Sequence, residues 1–368
     1  MEERQKIWNA AAGPLLAWYD LHRRALPWRG TRDPYRVWVS EIMLQQTRVA
    51  AVIPYYQRWI EELPTVAALA AAPEERLMKL WQGLGYYSRA RNLQRAAQVI
   101  LSEHGGRFPE ALPQLLKLPG IGDYTAGAIA SIAFGQPVPA VDGNVLRVAA
   151  RVLDIREDIL SPQVRKEIRQ LTASAIPPAR PGAFNQALMD LGATVCLPNG
   201  PPACGDCPLG ELCQANRLGT QTALPVRAPK AGRRVEELTV CLLLREGRVA
   251  LRQRPGHGLL AGLWEFPHVP GTLDEQSAGK AVADWGLTPL DWRKRLEARH
   301  IFTHVEWHMT GYLLTVKGDG PEVVWVDREG LEALAVPSAF GKFLAEVRSA
   351  LAEPEGPAGA HPASKPIK

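Results

Sequence analysis

From Met1 to about Arg217, apolar positions recur at the three- and four-residue spacing of helices that bury one face. Asp33-Pro34 opens one such helix, with a capping oxygen followed by proline at the first helical position. The run YRVWVSEIMLQQTRVAAVIPYYQRWIEEL then carries apolar residues through several turns. Further helices are predicted over 73–81, 88–104, 124–134, 144–153, 162–175 and 183–191. No convincing alternating strand interrupts them.

The stretch RLGTQTALPVRAPKAGRR, residues 217–234, has no amphipathic period and reads as a linker. After it the period changes. ELTVCLLLREGRVALRQR predicts two strands about a turn at Glu246-Gly247, and HIFTHVEWHMTGYLLTV and EVVWVD also read as strands. A closing helix is predicted from Ser338 to Leu351, and the tail 353–368, rich in Pro, Gly and Ala, is expected to be disordered. The chain is thus multi-domain: an all-α region, residues 1–216, joined through the linker 217–234 to a smaller α+β domain, residues 235–352.

A length of 368 residues agrees with two or three domains. With 46% apolar and 22% charged residues the composition is that of a globular protein. No stretch approaches the ~18 apolar residues of a membrane span, and the charged N-terminus has no secretory pattern. A cytoplasmic monomer without membrane association is expected, nucleoid-associated if the source is a bacterium. The formal charge of +5 points only weakly to a polyanionic partner. The preference for Arg over Lys in the helical region suits bidentate phosphate contacts.

Three local patterns carry chemistry. LPGIG, Leu118 to Gly122, lies between two helical segments; Gly120 and Gly122 permit a tight turn, and the helix that follows aims free backbone N–H groups at a phosphate. The bland reading is a helix–helix corner, but the preceding Leu-Pro and the following TAGAIASIAF match a helix-hairpin-helix DNA-binding motif. About twenty residues on, Asp142 precedes a helix in VDGN, where it serves at least as an N-cap. Third, Cys196, Cys204, Cys207 and Cys213 cluster as C-x7-C-x2-C-x5-C. In a chain without a secretion pattern this favours a metal site over disulfides, and spacing alone leaves zinc and iron–sulfur open. Cys241, in a predicted strand, reads as an ordinary buried thiol.

The hairpin followed by VDGN resembles the helix-hairpin-helix superfamily of DNA glycosylases. There an Asp faces the sugar of an extruded nucleotide and stabilises the oxocarbenium-like state formed as the N-glycosidic bond breaks. Glycosylase/lyases of that superfamily attack the sugar with a lysine, and the lysine position is Tyr124 here, with no lysine between Lys117 and Lys166. A single-step glycosylase is therefore favoured. A purine also leaves poorly as an anion, so a second group must protonate it. Glu41, flanked by Val39, Ile42, Met43 and Leu44, is the candidate, because burial would raise its pKa.

With LPWR (26–29), SEIMLQQT (40–47), GLGYYSRARNL (83–93), LPGIGDYTAGAI, VDGNVLRV, FNQALMDLG (184–192) and the four cysteines in order, the first 215 or so residues resemble the MutY family of adenine DNA glycosylases. The resemblance implies a six-helix barrel part and an iron–sulfur part, and a [4Fe–4S] cluster on the four thiolates, although the first cysteine gap is one residue longer than usual. It implies that Glu41 protonates adenine N7 and Asp142 stabilises the sugar cation, supported by Tyr124 and Asn144. Trp28, Arg29, Leu44 and Gln186 would line the adenine pocket, Gln46 and Tyr86 would wedge into the base stack, and Thr47 would lie near the opposite base.

GLLAGLWEFP, residues 258–267, resembles the MutT-like, Nudix-related domain of the same family, without the glutamate-rich run that holds Mg²⁺ in Nudix hydrolases. Phe302, Thr303 and His304 fall where that family places an F-S-H loop sensing 8-oxoguanine, whose N7–H would donate to the hydroxyl. An alternating strand is the competing reading. The implied partner is duplex DNA containing A:8-oxoguanine or A:G. The alternatives are an endonuclease III-like glycosylase/lyase and a non-catalytic mismatch-binding protein.

Overall fold

The computed structural model describes residues 2–229, 232–320 and 322–352; the tail expected to be disordered lies outside the described residues. Chain contacts divide the protein into two compact units. One takes Met1–Pro73 with Ser88–Lys230, the other Glu74–Tyr87 with Ala231–Lys368. The second unit thus draws on a segment from within the helical stretch as well as on the later half of the chain.

The helical unit contains α1 (Glu2–Ala10), α2 (Ala12–His22), α3 (Pro34–Leu44), α4 (Val49–Glu62) and α5 (Val66–Ala71). After α6 (Glu74–Trp81), which belongs to the other unit, come α7 (Ser88–His104), α8 (Leu112–Leu115), α9 (Asp123–Ile132), α10 (Gly143–Val152), α11 (Pro162–Ala175), α12 (Pro181–Thr194) and α13 (Gln214–Leu218). Asp33 caps α3 as predicted, accepting from Tyr35 N, with Pro34 at the first turn.

The long apolar run after Asp33 is two helices, not one. It breaks at residues 45–48, where Gln46 takes a left-handed φ of 58°. The buried Arg89 of α7 explains the break. Its Nη1 donates to Ile42 O (2.7 Å), Met43 O (3.2 Å) and Gln45 O (2.7 Å), so a cation satisfies the carbonyls that end α3.

The α8–α9 hairpin turns at Gly120, whose φ is +75°. A Cβ there would stand 2.6 Å from Asn92 Cβ, so both conformation and space require glycine. Helices α9 and α12 run antiparallel. Gly182 near the start of α12 lies against Ser131 and Ile132 near the end of α9, whereas Tyr124 near the start of α9 meets Met189 in the later half of α12. α10 is buried from Val145 to Val152, Arg147 and Arg151 included, and is the inner helix of the core it shares with α1, α2, α11 and α12. The stretch read as linker packs onto this unit for part of its length: Leu224 is buried, Arg151 Nε donates to Leu224 O (2.9 Å), and Ile159 N donates to Val226 O (3.1 Å).

The second unit is a mixed sheet in the order β3-β2-β1-β6-β5, with β4 also paired to β1 and β7 to β2. Its strands are β1 (Arg234–Arg245), β2 (Arg248–Gln253), β3 (Trp264–Glu265), β4 (His268–Pro270), β5 (Thr288–Ile301), β6 (Val305–Lys317) and β7 (Val324–Val326). Helices α14 (Glu275–Asp284), α15 (Arg328–Ala333) and α16 (Gly341–Ala350) complete it. β1 and β6 run parallel, with Leu238 opposite Met309 and Leu242 opposite Leu313.

Alternation along β1 divides the core. Leu238, Val240, Leu242 and Leu244 pack with Phe343 and Val347 of α16, while Cys241 and Leu243 pack with Ala278 and Val282 of α14. A strand covered on both faces reads as the continuous apolar run LTVCLLL. α6 joins this unit through Lys79 Nζ to Leu334 O (3.1 Å) and Gln82 Nε2 to Val336 O (2.6 Å).

The segment HIFTHVEWH is not a single strand. β5 ends at Ile301, Phe302 to His304 make the turn, and β6 begins at Val305, with Phe302 N donating to Val305 O (2.8 Å).

Candidate active site

A pocket of about 810 Å³ in the helical unit has Trp28, Glu41, Leu44, Tyr124, Asp142 and Asn144 on its walls. They arrive from five places: the loop after α2, the middle and end of α3, the first turn of α9, and the residue capping α10 with its first turn. The hairpin glycine Gly122 lines the same pocket, as do Arg29, Gln46 and Thr47. Arg165, Arg169 and Arg227 add positive charge to its lining, of which Arg169 is paired with Asp123.

Asp142 does cap α10, and this is also what aims it. Its Oδ1 accepts from the backbone N–H of Asn144 (2.9 Å) and of Val145 (2.8 Å), and Oδ2 accepts from the Asn144 amide (2.7 Å). Burial pushes its pKa up, opposed by those three donors and by nearby Arg147.

Glu41 is 6% exposed and accepts from the Tyr124 hydroxyl. Its pKa is raised, first by burial; the Tyr124 hydrogen bond and the Arg29 charge oppose the rise and the Asp142 charge adds to it. Tyr124 is held well above the usual phenol range by its own burial and by the Glu41 and Asp142 charges. One pocket therefore holds two carboxyl groups that burial pushes toward the protonated form, Glu41 with one hydroxyl donor and Asp142 with three N–H donors that favour its carboxylate. Such a pair suits protonation of a leaving group and stabilisation of positive charge on what remains.

Residues 39–174 match the HhH-GPD superfamily base excision DNA repair protein family, and residues 239–346 match the NUDIX domain. The chain is 40% identical over 402 residues to the adenine DNA glycosylase of Homo sapiens, covering 91% of this chain and 73% of that protein. It is 30% identical over 350 residues to the adenine DNA glycosylase of Buchnera aphidicola subsp. Baizongia pistaciae, covering 91% and 95%. The chain belongs to the adenine DNA glycosylase family.

It is a DNA glycosylase of base excision repair. Its helical part is also similar to the solved structure of a thermostable thymine-DNA glycosylase, at 28% identity and a TM-score of 0.52, covering 59% of this chain and 98% of that one.

In this glycosylase two expected base-contacting residues lie outside the pocket that holds Asp142. Gln186 lines a neighbouring pocket, where its Oε1 accepts from Tyr19 (2.5 Å). Tyr86, at a left-handed φ of 48°, belongs to the second unit, where its hydroxyl pairs with that of Thr303. Phe302 is fixed by edge contacts to His300 (4.5 Å) and Trp307 (4.9 Å), while Thr303 and His304 are exposed on the same turn. Trp28 is buried edge-on against Tyr56 at 5.3 Å.

Residues unremarked in the sequence hold these groups in place. The fully buried Asp190 accepts from Arg24 Nε (3.0 Å) and Arg29 Nη2 (2.9 Å), and Arg29 Nη1 donates onward to the Tyr19 hydroxyl (3.1 Å). Arg147 Nη2 donates to Asn144 Oδ1 (2.9 Å), and its Nε donates to Cys196 O (2.8 Å). Both Arg147 and Asp190 lie inside motifs quoted above. The sequence signal was only their charge within apolar helices, where a buried ion must find a partner.

Cys196, Cys204, Cys207 and Cys213 line one small cavity beside α10. Arg151 Nη1 donates to Cys196 Sγ (3.3 Å), and the Cys213 thiol donates to Arg151 O (3.4 Å). Burial first, and then the other three sulfurs, push the Cys207 thiol up to about 11. Among the described residues no three His, Cys, Asp or Glu side chains are arranged to hold a single ion. A four-iron cluster asks less of convergence, because each thiolate binds its own iron. The four sulfurs around one cavity fit that donor set. Cys241 is a fully buried core thiol, pushed up to about 12 by its burial.

Proposed function

We propose that this glycosylase removes adenine paired with 8-oxoguanine or guanine in duplex DNA by single-step hydrolysis. The observation that carries the reading is the placement of Glu41, Tyr124 and Asp142 in one pocket, with a tyrosine where a lyase needs its amine. The mispaired nucleotide is extruded, at a cost of about a few kcal/mol that is least at a mispair, with Gln46 and Tyr86 wedged into the stack. The backbone at Gly120 and Gly122 grips a phosphate. Glu41 gives its proton to adenine N7, and the bond from N9 to the sugar breaks with its electron pair leaving on the base. Asp142 stabilises the resulting sugar cation, held toward it by Asn144, until water adds and loses a proton. Trp28, Arg29 and Leu44 contact the base, and Gln186, on the neighbouring pocket, supports Arg29 through the Tyr19 hydroxyl. Tyr124 holds Glu41 in place and carries no covalent step.

On the opposite strand, Thr303 accepts from the N7–H that 8-oxoguanine has and guanine lacks, flanked by Phe302 and His304, and Thr47 lies near the same base. A single-turnover assay on A:8-oxoguanine duplex tests both statements. Adenine release without strand cleavage before alkali is expected, and Thr303→Val should narrow the rate ratio of A:8-oxoguanine over A:G by about tenfold, the worth of roughly one hydrogen bond. Nicking by pure enzyme would sink the hydrolytic reading. An unchanged ratio would remove Thr303 from lesion sensing.

We further propose that the four cysteines hold a [4Fe–4S] cluster with a structural role. When bound, such a group would join the turns of the segment from Cys196 to Cys213 to one another, and Arg147 and Arg151 would link that segment to α10. This protein's own contribution is the polar surround: Arg151 donates to Cys196 Sγ and Arg147 to Cys196 O. Iron near four atoms per chain is expected in protein purified without air, and Cys207→Ser should lose iron together with thermal stability. A full complement of zinc in place of iron would refute the assignment.

A further inference from the structure

A second pocket of the helical unit, about 1000 Å³, lies at the far end of the antiparallel α9–α12 pair from the catalytic one. Tyr124 of α9 and Met189 of α12 line the catalytic pocket, whereas Ile132 of α9 and Gly182 of α12 line the second. At 1.5 Å rise per residue the two lie roughly 10–12 Å apart along these helices. Arg24, Leu26 and Arg29 line both, and the partition between them is the polar chain Asp190–Arg29–Tyr19–Gln186.

The chemistry of the second pocket is mixed. Its walls carry Arg23, Arg32 and Arg180, the amide end of α12 and the carbonyl end of α9. Arg180, at the N-cap position of α12, makes no cap hydrogen bond, and its guanidinium is paired with both carboxylate oxygens of Asp20. Guanidinium planes stack on aromatic heterocycles, and adjoining donors and acceptors suit a ring that carries both. A free purine has that character: the exocyclic amine and the protonated N7 donate, and the other ring nitrogens, N9 with its newly acquired lone pair included, accept.

We propose that this second pocket is the departure site of the excised base, a rear vestibule through which free adenine leaves while the abasic DNA still covers the front of the catalytic pocket. Tyr19, Arg29 and Gln186 form the gate, which opens by parting the Tyr19–Gln186 hydrogen bond while Asp190 retains Arg29. The proposal rests on the adenine-hydrolase reading above. It adds a separate statement, that base and DNA leave by different routes and at different rates.

The test uses the full chain and an A:8-oxoguanine duplex labelled in the adenine base. After one turnover, retention of the base and of the DNA on the protein are followed separately. The variants Ala179→Trp and Ala183→Trp each place an indole in the vestibule, at positions absent from the catalytic pocket. In the wild type the label is expected to leave well before the DNA. In either variant it should stay at least tenfold longer, with bond cleavage within twofold of wild type. Should one variant fold poorly, the other carries the test. Simultaneous loss of base and DNA in the wild type, or prompt base release in a well-folded plugged variant, would overturn the proposal. Absence of any cleavage would instead overturn the substrate reading beneath it.

Discussion

Asp142→Asn is expected to lower the rate of base release at least about 10³-fold while leaving the fold and DNA binding intact. The size follows from what is removed. Donors aimed at developing charge are each worth about 10²–10³ in rate, and here a full charge facing a cationic sugar is lost. The intactness follows from the second task of the same side chain. Asn caps helices as well as Asp does, so its Oδ1 can keep the backbone bonds from Asn144 and Val145 that start α10. Alanine at this position would remove both charge and cap, confounding lost chemistry with about 1 kcal/mol of lost stability. Gel-shift affinity and melting temperature close to wild type, with base release abolished in single turnover, would establish the separation. Release within tenfold of wild type would remove Asp142 from the chemistry.

Glu41→Gln is the second large effect, a loss of about 10²–10⁴-fold, the usual worth of a positioned general acid. Glutamine preserves size and can still accept from Tyr124, so packing should survive. Here pH is informative. The pKa of Glu41 is raised, chiefly by burial, so the protonated form persists to higher pH than for an exposed glutamate. Because that form is the active one, the cleavage rate should be full below the raised value and fall as pH rises through it. The Gln variant should lack this limb. A wild-type profile that instead rises with pH across the same interval would assign Glu41 to a general base.

The legibility of this chain varied with how locally each feature is determined. The cap at Asp33, the hairpin at Gly120 and the cap at Asp142 are set by residues within a few positions, and the sequence predicts all three. The division of the long run into α3 and α4 has no glycine or proline to announce it. It comes from Arg89, more than forty residues later, reaching the carbonyls at the end of α3. β5 escaped detection for another reason. It is an edge strand whose residues, WRKRLEAR among them, are mostly exposed, so no apolar alternation marks it. The turn at Phe302 to His304 lacks the usual turn residues, so periodicity alone reads it as strand, while the family resemblance places a loop there, as observed.

The candidate site was legible in its residue types and less so in its supports. Glu41 could be proposed from its apolar neighbours, because an acid among Val39, Ile42, Met43 and Leu44 is anomalous unless it is on a wet face. Asp190, Arg24 and Arg147 could not be ranked that way, since only the fold reveals that their charges are buried or part-buried and matched.

The chain enters the strand-bearing unit twice, at Glu74–Tyr87 and again after residue 230. A protease that nicks the connecting stretch would therefore not set that unit free. The upstream fragment would still own α6, whose Leu77, Met78 and Trp81 are buried and whose Lys79 and Gln82 bind the carbonyls of Leu334 and Val336. The two fragments would stay clasped without a covalent bond. Conversely, a recombinant piece beginning at the first strand would lack one of its own structural members, so a fragment boundary drawn from the linker alone would cut the unit short.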